Sequence, residues 1–258
     1  MESSNIPGRR ENPVLNSNTF QRIRSMEYSD AMTVHGAVNK TGILLMILAF
    51  SSATAWMSIS RYGDSGLPYL LVILASLTAF IVALITSANM DYSQVTAPLY
   101  AFLEGGVLGW LSAIFDDKYP GIAIQAVFLT FGTLFGLLIM YRISGFQVTA
   151  KFRSGLLSAM LAIFMVYVLE LIFQLFGVDG LSILQRSGLI GIGFSLFVVL
   201  IAALNLVLDF DLIESGARQG APKYMEWYCA FGLMVTLIWL YLEILELLLR
   251  LYASSDDD

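Results

Sequence analysis

Charged residues are scarce in this chain. Lys, Arg, Asp and Glu make up 13% of its 258 residues, whereas they make up about 25% of a typical soluble domain. Hydrophobic residues account for 57%, and the mean hydropathy is +0.74. No polar stretch between the apolar runs is long enough to build a soluble domain, so the composition predicts a polytopic membrane protein.

Cysteine and histidine are almost absent, and this argues against several kinds of catalytic and metal site. The one cysteine, Cys229, lies in an apolar segment and cannot form a disulfide within the chain. The one histidine, His35, precedes the first apolar segment, so intramembrane Ser–His catalysis has no base and a zinc site has no His/Cys ligand set. The chain also has no phosphate-binding loop. We therefore expect no enzyme activity and no cofactor, and the net charge of −6 does not favour nucleic-acid binding.

The start of the chain does not have the pattern of a secretion signal. Residues 1–30 are polar, with scattered arginines and no apolar h-region, which predicts a disordered cytoplasmic tail. Residues 31–252 are expected to form one membrane domain, and residues 253–258 a short acidic C-terminal tail.

Long apolar runs are what the chain has in abundance. A helix needs about 20 predominantly apolar residues to cross a bilayer core. Seven segments meet this requirement: 41–60, 68–88, 97–115, 120–141, 154–177, 187–213 and 223–251. Prolines that mark helix starts stand at or near the beginning of four of them: Pro68, Pro98, Pro120 and Pro222. The sequence predicts an all-α bundle of seven transmembrane helices in a lipid bilayer.

The distribution of Lys and Arg predicts how the bundle is oriented. If the N-terminus is cytoplasmic, the inner segments hold ten of the 14 Lys and Arg residues. This excess is what the positive-inside rule requires. We expect the N-terminus inside and the C-terminus outside.

Four acidic residues lie inside the apolar runs: Glu104, Glu170, Asp209 and Glu243. A charged side chain near the bilayer centre costs about 2.5–3.5 kcal/mol on insertion scales, so each is a candidate site residue. A rise of about 1.5 Å per residue places Glu104 and Asp209 nearer the cytoplasmic side and Glu170 and Glu243 nearer the outer side. Two neighbouring carboxylates cannot both ionise cheaply in a low dielectric, so a pair of this kind predicts pH sensing or cation binding.

Two polar residues are candidates to support this site. Asn205 lies one helical turn before Asp209, where its amide can hydrogen-bond the carboxylate. Gln125, in the fourth segment, is a candidate for further polar lining.

Other polar and small residues have structural interpretations. Glu246 and Arg250 are spaced i, i+4, which predicts an ion pair at a helix end. Asp211 is expected to face cytoplasmic water. Gly105 and Gly109, one turn apart in the third segment, predict close helix packing.

Several stretches resemble the Bax inhibitor-1 family, in its bacterial YccA-like branch. They are MTVHGAVNKTGILL (32–45), APLYAFLEGGVLGWLS (97–112), IAIQAVFLTFG (122–132), ALNLVLDFDLIESG (203–216) and APKYMEWYCAFGLMVTLIWLYLEIL (221–245). They are spread along the chain, so the resemblance spans residues 30 to 250.

The resemblance implies a seven-helix bundle with the last helix at its centre, in a bacterial inner membrane. Some family members are calcium-permeable, pH-sensitive leak channels whose gate is a pair of carboxylates on helices six and seven. Asp209 in LVLDFD matches the helix-six aspartate, and Glu243 in LYLEIL is the nearest counterpart of the helix-seven aspartate. The resemblance thus implies transient calcium at Asp209. The family's helix-two arginine has no counterpart, because residues 68–88 carry no charge.

Two functions remain open at this point. The first is a pH-sensitive ion leak channel that passes calcium or protons and is gated by Asp209 with Glu104 or Glu243. The second is a membrane regulatory protein that binds other membrane proteins, such as a protease or a translocon, without transport activity.

Overall fold

Seven long helices account for most of the described chain. The computed structural model describes residues 31–62, 66–144, 148–177 and 188–256. The helices are α1 (Val34–Tyr62), α2 (Gly66–Ala88), α3 (Ser93–Lys118), α4 (Ile122–Ser144), α5 (Ala150–Leu175), α6 (Leu189–Arg218) and α7 (Met225–Asp256), with a 3₁₀ turn at Met90–Tyr92 before α3. Each helix contains a span long and apolar enough to cross a membrane. The predicted all-α, seven-helix class is confirmed, and the predicted tail at residues 1–30 lies outside the described residues.

The helices extend beyond the apolar segments that predicted them. α1 begins at Val34 rather than at residue 41, and α7 runs to Asp256. Helix ends of this kind carry polar residues that reach the interface between lipid and water. Pro98 was expected near the start of the third helix but lies inside α3, because that helix begins earlier, at Ser93. A proline at this position removes one backbone hydrogen bond from the second turn of the helix.

The last helix lies at the centre of the bundle. α7 packs against α1, α3, α4 and α6, whereas α5 packs against α6. Met234, Leu240 and Leu245 of α7 are among the largest fully buried side chains. By contrast, outward-facing residues such as Phe128 and Ile143 are large, apolar and exposed. This distribution is what a bundle surrounded by lipid requires.

Two glycines allow α3 to approach α1 closely. A Cβ atom at Gly105 would overlap the backbone of Leu48, and one at Gly109 would overlap the backbone of Ser52. The Ser51 hydroxyl of α1 donates a hydrogen bond of 2.5 Å to an α3 carbonyl across the same contact. The close packing predicted for these glycines is confirmed.

A buried ion cluster around Glu226 closes one end of the bundle. Glu226 is the second residue of α7, and its side chain is fully buried. Its Oε1 accepts hydrogen bonds from Lys223 Nζ at 2.8 Å and from the Thr33 amide and hydroxyl at 2.9 and 3.0 Å. Lys40 Nζ lies 3.2 Å from Oε2. We call these four residues the Glu226 cluster.

The Glu226 cluster joins the N-termini of two helices. Thr33 directly precedes α1, and Glu226 lies in the first turn of α7. Helix N-termini favour negative charge because their first N–H groups are free and the helix dipole is positive there. Gly36 leaves room for the carboxylate, since a Cβ atom at this position would overlap it. The Met32 amide also donates to the Ala221 carbonyl at 2.7 Å, which fastens the chain before α1 to the α6–α7 connection.

We expect Gly109→Ala to destabilise the protein and Gly132→Ala to leave it at least as stable. A Cβ at Gly132 meets nothing within 4 Å, and alanine favours a helix over glycine by about 1 kcal/mol. A Cβ at Gly109 meets rigid backbone, and such overpacking costs about 1–3 kcal/mol. Thermal unfolding of the two variants in one detergent measures the difference. Equal midpoints would contradict the close contact between α1 and α3.

We expect Glu226→Gln to lower the free energy of unfolding by about 2 kcal/mol, because Thr33, Lys40 and Lys223 lose a fully buried charged acceptor. The matched control is Glu214→Gln, whose ion pair with Arg218 is largely exposed. Loss of an exposed pair changes stability by less than about 1 kcal/mol. Denaturant unfolding compares the two variants. Equal losses would show that the Glu226 cluster does not hold this end of the bundle.

Candidate functional site

Asp209 lies at a cavity between α2, α3, α6 and α7. The cavity has a volume of about 320 Å³. Its polar lining residues are Ser87, Tyr100, Asp209, Tyr228 and Thr236. α6 contributes Asp209 from the part of its surface that faces α7, against which it packs. We call this space the Asp209 cavity.

The Asp209 carboxylate has no cationic partner in the described part of the chain. Its Oδ2 atom is buried and accepts no hydrogen bond from these residues. The Thr236 hydroxyl lies beside the carboxylate, donates a hydrogen bond of 3.2 Å to the Gly232 carbonyl and accepts one of 3.2 Å from Asn205 Nδ2. Asn205 therefore reaches the site through Thr236 of α7. An ionised carboxylate here would keep an uncompensated charge, so it can take up a proton or a cation.

Glu104 lies on α3 at the same depth as Asp209. Tyr100, one turn before Glu104, packs edge to face on Phe231 with ring centroids 5.3 Å apart, and both rings line the Asp209 cavity. Leu108, one turn after Glu104 on α3, lies at the level of Ile238 on α7. Glu104 thus stands level with the α7 turns beside Asp209, although no hydrogen bond joins the two carboxyl groups in the described chain.

Glu243 lies farther along α7 and has its own hydrogen-bond donors. It is two helical turns beyond Thr236, a distance of about 10 Å along the axis. Its Oε1 accepts hydrogen bonds from Tyr167 Oη at 2.9 Å and from Trp239 Nε1 at 2.9 Å. The side chain is buried. The structure therefore does not bring Glu243 to Asp209.

The opposite end of the bundle holds two other predicted site residues. Glu170 lies within electrostatic reach of Glu246 and Arg250. The ion pair predicted between Glu246 and Arg250 is confirmed. Gln125, in the first turn of α4, donates a hydrogen bond of 3.0 Å to Tyr252 Oη. It lies away from the Asp209 cavity because the first turn of α4 is at this end of the bundle.

The sequence predicted that Asp211 faces cytoplasmic water, but its carboxylate pairs with an arginine. Its Oδ2 lies 3.2 Å from Arg153 Nη2, and its side chain is 17% exposed. The first turn of α5 carries Arg153 to this part of α6 and covers the carboxylate. Asp209 and Asp211 are two residues apart, yet only Asp211 has a cationic partner within the described residues.

Neither the role of Glu226 nor the position of Cys229 was predicted from the sequence. An acidic residue in the first turn of a helix, four residues after a proline and three after a lysine, was a usable signal for Glu226. Its partners Thr33 and Lys40 lie near the start of the chain, and sequence spacing does not reveal such a contact. Cys229 is buried, with a free thiol, and lines the Asp209 cavity.

The donor set at Asp209 does not match that of a resident metal site. Among the described residues, no group of three His, Cys, Asp or Glu side chains is placed to hold a metal ion. A resident calcium ion takes roughly six to eight oxygen ligands, usually with several carboxylates. The Asp209 cavity provides one carboxylate and several hydroxyl groups.

Comparison with known proteins establishes the family. A family model described as Bax inhibitor 1 like matches residues 12–253, which include α1 to α6 and nearly all of α7. No curated protein and no solved structure matches the chain. The family match confirms the resemblance seen in the sequence, and the seven apolar helices agree with it. The chain belongs to the Bax inhibitor 1 like family and is an integral membrane protein.

Proposed function

We propose that this protein is a pH-sensitive ion leak channel that passes calcium or protons, and not an enzyme. Asp209 is the residue whose protonation controls the path. The observation that carries the proposal is the buried, unpartnered Oδ2 of Asp209 beside a cavity of about 320 Å³.

The contrast with the other buried or half-buried acids supports this role. Glu226 has two lysines, Asp211 has an arginine, and Glu243 has two neutral donors, whereas Glu104 and Asp209 have no ion pair within the described residues. An acid that serves only the structure needs such partners, because an unpaired charge in a low dielectric is costly. Asp209 lacks a cationic partner within the described chain, so its environment suits a group that binds and releases a proton or cation.

The packing of α6 on α7 suggests how protonation of Asp209 would open or close the ion path. With Asp209 protonated, the site is neutral and the helices can stay packed around the cavity. When the proton leaves, the charge on the buried carboxylate favours entry of water or a cation into the cavity. The described packing is then the closed state, and flux rises with pH.

Glu104 is the acid best placed to act with Asp209. It lies at the same depth, one turn from Tyr100, whose ring lines the Asp209 cavity. The two carboxyl groups share no hydrogen bond in the described chain, so a charge on Glu104 would act on Asp209 only at longer range, through the low dielectric of the bundle. Glu243 is about 10 Å farther along α7, so it contributes to stability rather than to the gate.

We place the end of the bundle that carries the Glu226 cluster on the cytoplasmic side of a bacterial inner membrane. Most cationic side chains in the described residues lie at that end, as the positive-inside rule requires. They are Lys40, Arg142, Lys151, Arg153, Arg218 and Lys223. The Asp209 cavity then lies in the cytoplasmic half of the membrane.

We expect Asp209→Asn to abolish the pH dependence of ion flux. Liposomes that contain the purified protein should show greater calcium or proton flux at pH 8 than at pH 6, because only ionised Asp209 disturbs the packed helices. Asparagine is neutral at both values, so its flux should be the same at both. Fluorescent calcium and pH indicators inside the liposomes report the flux.

Asp211→Asn is the matched control for this experiment, since it changes the same type of side chain two residues away. It should retain the pH dependence, because Asp211 pairs with Arg153 outside the cavity. Liposomes without flux for every variant would contradict the channel and favour the membrane regulatory protein that binds other membrane proteins. A flux in Asp209→Asn with unchanged pH dependence would exclude Asp209 as the gate.

We expect Glu104→Gln and Glu243→Gln to separate gating from stability. Glu104→Gln should move the pH midpoint of flux by a small amount to lower pH, because it removes a negative charge at the same level of the bundle that favours protonation of Asp209. Glu243→Gln should leave the midpoint unchanged and lower the free energy of unfolding by about 1–2 kcal/mol, because Tyr167 and Trp239 lose a charged acceptor. The reverse pattern would assign Glu243, and not Glu104, to the gate.

A further inference from the structure

A second cavity lies between α1, α3, α4 and α7, on a different part of the α7 surface from Asp209. Its volume is about 570 Å³, and its lining is almost entirely apolar. Leu108, Leu237 and Ile238 form its floor, and each of them is at most 7% exposed. Exposed residues of α1 and α4, including Ala53 and Ile124, form its mouth. We call it the α1–α4 cavity.

The mouth of the α1–α4 cavity opens onto the lipid-facing surface of the bundle. Ala53 and Ile124 lie within the membrane-spanning parts of α1 and α4. Phe128, one turn from Ile124, is 74% exposed and continues the apolar surface. An apolar cavity excludes water, and the hydrocarbon of the bilayer lies directly against this mouth.

The cavity has the length of one bilayer leaflet. Its lining extends from Leu45 to Met57 on α1, and from Gly121, which directly precedes α4, to Phe131 on α4. At about 1.5 Å per residue these stretches measure about 15–18 Å. Half of a hydrocarbon core of about 30 Å is about 15 Å. An acyl chain that lies along the helices therefore fits the cavity from the membrane surface to the middle of the bilayer.

Polar groups of the cavity are concentrated at the end where α3 meets α4. Asp116 Oδ1 accepts a hydrogen bond of 2.9 Å from the Gly121 amide. The Ser112 and Tyr241 hydroxyls are hydrogen-bonded to each other at 2.6 Å. These groups already have partners, so the site needs no polar ligand atom at depth. The polar end lies toward the membrane surface, where a lipid headgroup would remain.

We propose that the α1–α4 cavity binds one acyl chain of a phospholipid from the leaflet on the side of the α3–α4 connection. The bilayer supplies this ligand at the mouth of the cavity, and its apolar chain matches the lining and the length. The bound chain packs between α1 and α4 and gives the floor residues contact partners that an empty cavity would deny them.

Photo-crosslinking tests this proposal. The full-length protein is reconstituted into phosphatidylcholine vesicles that include a phosphatidylcholine with a diazirine in one acyl chain. After irradiation, mass spectrometry locates the adducts. We expect adducts at the buried floor residues Leu108 and Ile238 as well as at exposed Phe128. Labelling of Phe128 without any adduct at the floor would overturn the proposal.

Variants that fill the mouth provide the second arm of the test. Ala53→Phe, and independently Ala49→Phe one turn earlier, should abolish the floor adducts and leave the adduct at Phe128. Ala162→Phe, on the exposed surface of α5, is the matched control and should retain all adducts. Thermal unfolding identifies any variant that fails to fold, and the other mouth variant then decides. Floor adducts that persist in a folded mouth variant would contradict entry through this mouth.

Discussion

The buried carboxylate of Glu226 fixes the position of the central helix, and much of the molecule depends on that position. It connects the start of α7 to the start of α1 through Thr33 and Lys40. Because α7 packs against four other helices, this connection also sets how far along the bundle the α7 turns with Thr236 and Glu243 lie. Thr236 consequently stands beside Asp209, while Glu243 stands two turns farther along, next to Tyr167.

The acidic residues of this chain differ in role because they differ in partners. Where lysine, arginine or paired neutral donors surround a carboxylate, the charge strengthens the bundle. At Asp209 the cavity is lined by hydroxyl groups, aromatic rings and apolar side chains, and no cation of the described residues pairs with the carboxylate. The same chemical group therefore serves as an anchor at Glu226 and as a proposed gate at Asp209. Membership of the Bax inhibitor 1 like family agrees with a membrane bundle but does not assign these roles.

The sequence was sufficient for features that depend on local pattern. Apolar length predicted all seven helices, glycine spacing predicted close packing of α3 without identifying α1 as its partner, and i, i+4 spacing predicted the Glu246–Arg250 pair. Features that depend on contacts between distant helices were not accessible in this way. No spacing rule shows that Arg153 covers Asp211, that Gln125 belongs with Tyr252, or that Glu226 meets residues near the start of the chain. Helix ends were also misplaced, because hydropathy marks the lipid core and not the last hydrogen-bonded turn.

Thr33 and Glu226 bond each other although 193 residues separate them along the chain. Their bond therefore forms late in synthesis. During synthesis α1 enters the membrane long before α7 exists, since domains and helices emerge from the N-terminus first. During that interval Lys40 has no ion pair with Glu226. The start of α1 is also not yet bonded to α7, so its position relative to the other helices is not fixed. The bundle therefore completes its assembly only when the last helix arrives. If translation stops before that point, most of the membrane spans are inserted but the Glu226 cluster cannot form.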